Sequence, residues 1–125
     1  MNVIDSSAWL EYFADGPNAG FFAKAIEDTA ALIVPSLSLH EVYKRILQQR
    51  GENAALQAIA VMQQGEVVAL DGPTAISAAR LSLSAKLPMA DSIMLATARR
   101  HEALLWTQDA DFAGLPDVRY RGGRG

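Results

Sequence analysis

The apolar positions of the chain fall into two kinds of pattern that alternate along it. Residues 3–4, 31–34, 67–70, 104–106 and 118–120 form five short runs. They are continuous rather than alternating, as expected for strands of a sheet covered on both faces. The segments between them carry helical spacing. Ser6 or Ser7 can cap a helix bearing Trp9, Tyr12 and Phe13. Phe21, Phe22, Ala25, Ile26 and Thr29 share one face of a second. From Ser36 onward, Leu39, Val42, Tyr43, Ile46 and Leu47 obey the i, i+3, i+4, i+7, i+8 rule, and Gly51 supplies a stop. Residues 52–63 predict a helix with Leu56, Ile59 and Ala60 inward. Asp71-Gly-Pro-Thr opens another, carrying Ile76, Ala79, Leu83 and Leu87 as far as Pro88. A last helix starts near Ala90 with Ile93, Met94, Thr97 and Ala98 on one side. Strands alternating with helices predict an α/β domain with a mainly parallel five-stranded sheet flanked by helices. In such sheets, ligands bind beyond the carboxyl ends of the strands.

Composition narrows this picture. The 125 residues suit one domain, 1–125, and half are hydrophobic, enough for a sizeable core. Absence of cysteine excludes a disulfide framework, a thiolate metal site and a cysteine nucleophile. It also fits a reducing, cytoplasmic setting. The first residues lack the basic n-region of a signal peptide, and no apolar run reaches the ~18 residues of a membrane span. Residues 121–125, Arg-Gly-Gly-Arg-Gly, read as a mobile tail. The net charge of −3 argues against a plain nucleic-acid binder, which is usually basic. The argument weakens for a nuclease that holds cations on carboxylates, because bound divalent ions reverse the local charge.

Of fourteen acidic residues, eight (Glu11, Asp15, Glu27, Asp28, Glu52, Glu66, Glu102 and Asp117) sit among polar residues or near helix ends and read as solvated surface. Asp71 follows a strand, but Gly-Pro-Thr behind it makes a helix cap a sufficient explanation. The other five are out of place. Asp5 directly follows the first apolar run, where it is either an N-cap or a ligand at a strand's carboxyl end. Glu41 lies within an apolar helical turn, either paired with Lys44 or Arg45 or facing a site. Asp91, in Leu-Pro-Met-Ala-Asp-Ser-Ile-Met-Leu, is costly to ionise there unless paired, hydrogen-bonded or bound to metal. Its other reading is a first-turn partner of the helix dipole. Asp109 and Asp111 follow the fourth run in Thr-Gln-Asp-Ala-Asp-Phe, as a capped turn or as two acids facing one pocket. Acids gathered at one sheet edge repel unless a cation sits among them. Oxygen donors without a His or Cys cluster favour Mg²⁺ or Mn²⁺. His40, beside Glu41, supports the site or simply sits at the surface.

Four fragments together carry a resemblance: Val-Ile-Asp5-Ser-Ser, Pro-Ser-Leu-Ser-Leu-His-Glu41-Val, Leu-Pro-Met-Ala-Asp91-Ser-Ile-Met-Leu-Ala-Thr-Ala and Leu-Leu-Trp-Thr107-Gln-Asp109-Ala-Asp111-Phe. In this order and spacing, over nearly the whole chain, the sequence resembles the PIN domain, and within it the VapC-type toxins of bacterial toxin–antitoxin pairs. The resemblance implies a Rossmann-like sheet with Asp5, Glu41, Asp91 and Asp109 as catalytic acids at one edge. Asp5, Asp91 and Asp109 would hold Mg²⁺ or Mn²⁺, supported by Ser6, Thr107 and Asp111. It implies a metal-dependent endoribonuclease, a cognate antitoxin, and a homodimer. RNA contacts would come from Lys44 and Arg45 first, and from Arg50, Arg80, Lys86, Arg99, Arg100 and the tail arginines. The aromatics Trp9, Tyr12, Phe13, Phe21 and Phe22 serve either a dimer interface or the core.

Other classes fit less well. A phosphoacceptor domain needs its Asp at a central strand end and a downstream Lys, yet Asp91 opens a helix and no Lys follows Lys86. An Asp-nucleophile phosphatase wants a second Asp two residues after Asp5, where Ser7 stands. An inactive binding module of the same fold would usually lack an acid, and none is missing. DNA cleavage by the same site stays open, because the chemistry does not need the 2′-hydroxyl.

Overall fold

The structure is a computed structural model and describes residues 1–122. Five strands form one sheet: β1 (Asn2–Ile4), β2 (Leu32–Pro35), β3 (Glu66–Val68), β4 (Leu104–Thr107) and β5 (Val118–Tyr120). Their order is β3-β2-β1-β4-β5, and every neighbouring pair is parallel. The chain runs outward from β1 in one direction, then returns to β4 on its other side. The topological switch point therefore lies between β1 and β4, where open α/β sheets leave a crevice.

Six helices cover the sheet: α1 (Ser6–Phe13), α2 (Ala19–Glu27), α3 (Ser36–Arg50), α4 (Glu52–Met62), α5 (Gly72–Ser84) and α6 (Met89–Arg100). Successive strand residues point to opposite faces. Ile4, Leu32 and Val34 join Trp9, Phe22, Val42 and Met62 in a core under α1 to α4. Val3, Ile33 and Leu105 pack instead with Met94, Leu95 and Phe112 beneath α5 and α6. The aromatic-rich start of the chain belongs to the first core. Trp9 and Phe22 are fully buried, and Trp9 stacks on Phe13 at 5.6 Å between ring centroids. The tail expectation for residues 121–125 falls in large part on 123–125, outside the described residues; Arg121 and Gly122 are placed.

Element boundaries follow local chemistry. Gly51 adopts φ 88° between α3 and α4, a left-handed conformation that separates the two helices. Asp71 caps α5 through the Thr74 amide at 2.8 Å, as its sequence context predicts. α5 ends at Ser84, four residues before Pro88; Leu87 then buries itself while its carbonyl accepts the Ser82 hydroxyl at 2.7 Å. The third strand is shorter and earlier than the apolar run 67–70, because Leu70 leaves the ladder and is exposed.

Two helices are rotated relative to the expected face. In α4 the buried positions are Ala55, Ala58 and Met62, while Leu56 and Ala60 are exposed. In α5, Thr74 and Ala78 face inward, and Ile76, Ala79 and Leu83 face out. Both helices carry apolar residues on nearly every side, so periodicity alone cannot choose the phase. Small residues win the inward face, since Ala permits close approach to the neighbouring helix. The orientation of α4 is testable by urea unfolding. Met62→Ala, at a site with no exposure, removes about 2–5 kcal/mol. Leu56→Ala, at 53% exposure, removes less than about 1 kcal/mol. Equal losses would put Leu56 in the core.

Candidate active site

Asp5 is the first residue past β1 and occupies the N-cap position of α1, yet its side chain makes no capping hydrogen bond. Its carbonyl accepts the Ala8 and Trp9 amides and so opens the helix by itself. That frees the carboxylate, which is buried at 5% exposure and accepts two hydroxyls on Oδ2: Ser7 Oγ at 2.7 Å and Thr107 Oγ1 at 2.8 Å. Burial pushes the Asp5 carboxyl above its usual range, the hydroxyls partly offset this, and Asp109 adds repulsion.

Thr107 ends β4, the strand paired with β1, and is itself fully buried. Its hydroxyl donates to Asp5 and accepts the Asp109 amide at 2.9 Å. Asp109 in turn accepts the Asp111 amide at 2.9 Å and caps the short 3₁₀ turn Ala110–Phe112. One oxygen of Asp109 thus caps the turn, and the residue also groups with Asp91 and Asp111. Glu41, in the second turn of α3, is half-buried and accepts Ser6 Oγ at 2.6 Å, which ties α3 to the start of α1.

Asp91 lies in the first turn of α6, with Pro88 at the N-cap. Its carboxyl is raised to about 7, foremost by desolvation, then by the charges of Asp109, Asp5, Asp111 and Glu41. The charge of every other acid singled out by the sequence thus acts against ionisation of Asp91. Carboxylate oxygens of Asp91, Asp109 and Asp111 all lie within 4.8 Å of one another. A cation with oxygen bonds of about 2.1 Å would close that spacing with small side-chain movements. The donors are all hard oxygens, so the set fits Mg²⁺ or Mn²⁺ and not a soft metal. Geometry thus groups Asp111, expected only in support, with the two ligand candidates Asp91 and Asp109. Asp5 stands beside them, held through Thr107.

The remaining expectations are placed as follows. Lys44 and Arg45 are exposed and line a cleft of about 350 Å³ with His40, Glu41 and Gln48. Arg45 also lines a second cleft of about 370 Å³, which includes Ser7, Glu11, Arg50 and Gln108. His40 is exposed. Glu11, expected as solvated surface, is half-buried and accepts the Asn18 amide at 2.7 Å. Asn18 and Gln108 went unnoticed in the sequence. Their side chains bond each other at 3.1 Å beside Asp109. Neutral amides among polar neighbours carry no signal of this kind; only the contact across the fold reveals them.

The Asp91 carboxyl gives a pH prediction. Folding holds its proton up to about pH 7, against an ordinary value of 3.8. The folded chain binds more protons across that window, so the metal-free protein loses stability as pH rises through it. A divalent cation competes with the same proton, and Mn²⁺ affinity falls as pH drops below about 7. Calorimetric melting and Mn²⁺ titration between about pH 5 and 8 check both. Asp91→Asn flattens the metal-free dependence; an unchanged slope in that variant would remove Asp91 from this role.

The sequence profile of the PIN domain matches residues 3–118. No curated protein sequence matches significantly. Among solved structures, the chain is similar to a toxin–antitoxin complex from Klebsiella pneumoniae, with 21% identity, TM-score 0.81, and 95% and 96% of the two chains covered. It is also similar to Mycobacterium tuberculosis VapC20, described as a sarcin–ricin-loop-cleaving toxin, at 20% identity, TM-score 0.75, and 95% and 99% coverage. FitAcB from Neisseria gonorrhoeae matches at 18% identity, TM-score 0.74, and 96% coverage of both chains. At these identities the likeness establishes a shared fold. With the profile spanning almost the entire sequence, the chain belongs to the PIN-domain family.

Proposed function

We propose that this protein is a Mg²⁺- or Mn²⁺-dependent endoribonuclease acting as the toxin of a toxin–antitoxin pair. The observation that carries this reading is the grouping of Asp91, Asp109 and Asp111, with carboxylate oxygens within 4.8 Å of one another, and of Asp5 tied to Asp109 through the Thr107 hydroxyl. Stability alone does not explain such a cluster, because each ionised acid raises the cost of ionising the others. Among the solved structures of similar fold, one is described as a toxin–antitoxin complex and another as a cleaving toxin, which supports an antitoxin partner here.

Asp91, Asp109 and Asp111 would hold the cation, with Asp5 beside them. The bound ion supplies Lewis-acid neutralisation of phosphate charge and a lowered pKa for attacking water. The chain's own groups do the rest. Thr107 fixes Asp5 and Asp109 relative to each other, Ser7 orients Asp5, and Ser6 orients Glu41. A carboxylate of this set orients or deprotonates water for in-line attack on a backbone phosphorus. Lys44 and Arg45, which line one cleft with Glu41, would meet flanking phosphates. The products carry a 5′-phosphate and a 3′-hydroxyl, since the ribose 2′-hydroxyl takes no part.

The homodimer reading finds its support on the outer side of α5 and α6. Leu83 is 85% exposed and Met89 76% exposed, and with Leu70, Ala75, Ala79 and Ile93 they line an apolar groove of about 580 Å³. A second copy presenting the same uncharged surface would cover it. Leu83→Lys should then shift the sedimentation of the protein from dimer to monomer; a monomeric parent protein would end this part of the reading.

Incubation of the antitoxin-free protein with total cellular RNA tests the reaction. Cleavage requires Mg²⁺ or Mn²⁺, and Asp91→Asn lowers its rate at least about a hundredfold while leaving a folded protein. End-mapping should find 5′-phosphates. A 2′,3′-cyclic phosphate would overturn the hydrolytic route, and wild-type rates in Asp91→Asn would overturn the site. Preferential cutting of single-stranded DNA in a parallel reaction would move the substrate assignment.

A further inference from the structure

A third cation, Arg121, follows β5, which is one strand beyond β4 and on the opposite side of β1 from β2 in the sheet order. Its amide donates to the Thr107 carbonyl at 3.0 Å. The same Thr107 anchors Asp5 through its hydroxyl at 2.8 Å. The guanidinium of Arg121 lies 4.4 Å from the centroid of Phe21. Phe21 is immobilised in turn, with Trp106 and Phe22 each 5.2 Å away between ring centroids. Asn18 closes the arrangement: its side-chain amide donates to Gln108 Oε1 at 3.1 Å and to the Gly122 carbonyl at 2.9 Å. A surface arginine is thereby held at both backbone and side chain. It rests on a ring face, which leaves its in-plane N–H donors available to phosphate oxygens.

Sheet order fixes where this cation stands. Arg45 and Glu41 lie on the helix that follows β2, the acids Asp5 and Asp109 follow β1 and β4, and Arg121 follows β5. Along the edge the sequence is therefore cation, acid cluster, cation. With about 4.8 Å between adjacent strands, β2 and β5 are about 14 Å apart. A single nucleic-acid strand crossing the carboxyl edge would meet a positive group before the scissile phosphate and another after it.

We propose that Arg121, braced by Phe21 and Asn18, binds a backbone phosphate of the RNA on the β5 side of the acid cluster, opposite Arg45. This rests on the ribonuclease reading and adds the path of the strand. The contact is to the backbone, so it raises affinity without selecting sequence.

The test uses full-length wild-type protein with Ca²⁺ in place of Mg²⁺, to occupy the acid cluster without supporting cleavage, and a fluorescein-labelled single-stranded RNA of mixed sequence. Binding is followed by anisotropy across a salt series. Arg121→Ala should weaken binding about tenfold and flatten the slope of log K against log salt by about 0.7. Arg121→Lys should keep the slope and recover part of the affinity. Phe21→Leu, which keeps the charge but removes its brace, should weaken binding about two- to threefold at unchanged slope. With Mg²⁺ restored, Arg121→Ala should raise KM far more than it lowers kcat. Unchanged affinity and slope in Arg121→Ala would overturn the inference. So would equal losses in the Ala and Lys variants, or a fall in kcat at constant KM, which would mean that Arg121 acts through Thr107 on the acids. Cleavage by the wild type with Arg121→Ala indifferent would remove this contact alone. A wild type that neither binds nor cuts RNA would remove the ribonuclease reading with it.

Discussion

Mutual repulsion among neighbouring carboxylates, one of them buried, is the constraint that organises this molecule. Asp91 cannot ionise at its ordinary pH because desolvation and four neighbouring acids oppose it. A fold can hold such a cluster only if stronger interactions fix each member. Here the fixing is done by backbone pairing between β1 and β4 and by the hydroxyls of Thr107, Ser7 and Ser6. Thr107 matters most among these. It is fully buried, bonds Asp5 and Asp109 through one hydroxyl, and receives the Arg121 amide on its carbonyl. The free energy stored in the repulsion is what a divalent cation would release on binding.

The division of labour between the two faces follows from the same requirement. Four helices, α1 to α4, pack one side of the sheet into a continuous core with Trp9, Phe22 and Met62. α5 and α6 cover the other side, with Ala78 and Ala98 buried. α6 delivers Asp91 to the edge, and the apolar stretch around that residue is explained by its burial: Met94 to Ala98 are all buried. That layer also leaves Leu83 and Met89 exposed, where they line an apolar groove on its outer side.

The sheet and the acids were legible in the sequence for different reasons. Short apolar runs give parallel strands because both faces are covered, and the runs at 104–106 and 118–120 fall within or on β4 and β5. The acids were legible because a carboxylate beside apolar residues conflicts with its surroundings, as at Asp5 and Asp91. Asp71 shows the converse: its local sequence already accounts for it, and it caps α5. What could not be read was relational. The phases of α4 and α5 depend on which small residues meet a neighbouring helix, so Leu56 and Leu83 were placed inward although both are exposed. The separate partners of Ser6 and Ser7, Glu41 and Asp5, depend on how α1 leaves β1. Asn18 and Gln108 carry no local conflict, and Phe21 reads only as core or interface; the contacts of Asn18 with Gln108 and of Phe21 with Trp106 and Arg121 join segments far apart in sequence.

The overall charge illustrates why local placement decides function. A net charge of −3 is unfavourable for binding an anionic polymer. Five of the fourteen acids, however, are committed to the cluster; the nine left are outnumbered by eleven Lys and Arg. Cation binding would neutralise the cluster, and the surface that an RNA strand meets would then be mildly basic. The distribution also supplies a control. An acid cluster without metal repels phosphate, so the chain would bind RNA well only when the ions it needs for cutting are already in place. A strongly basic chain of the same fold would hold RNA unproductively. Here the acids that would perform the chemistry would also make RNA affinity conditional on metal.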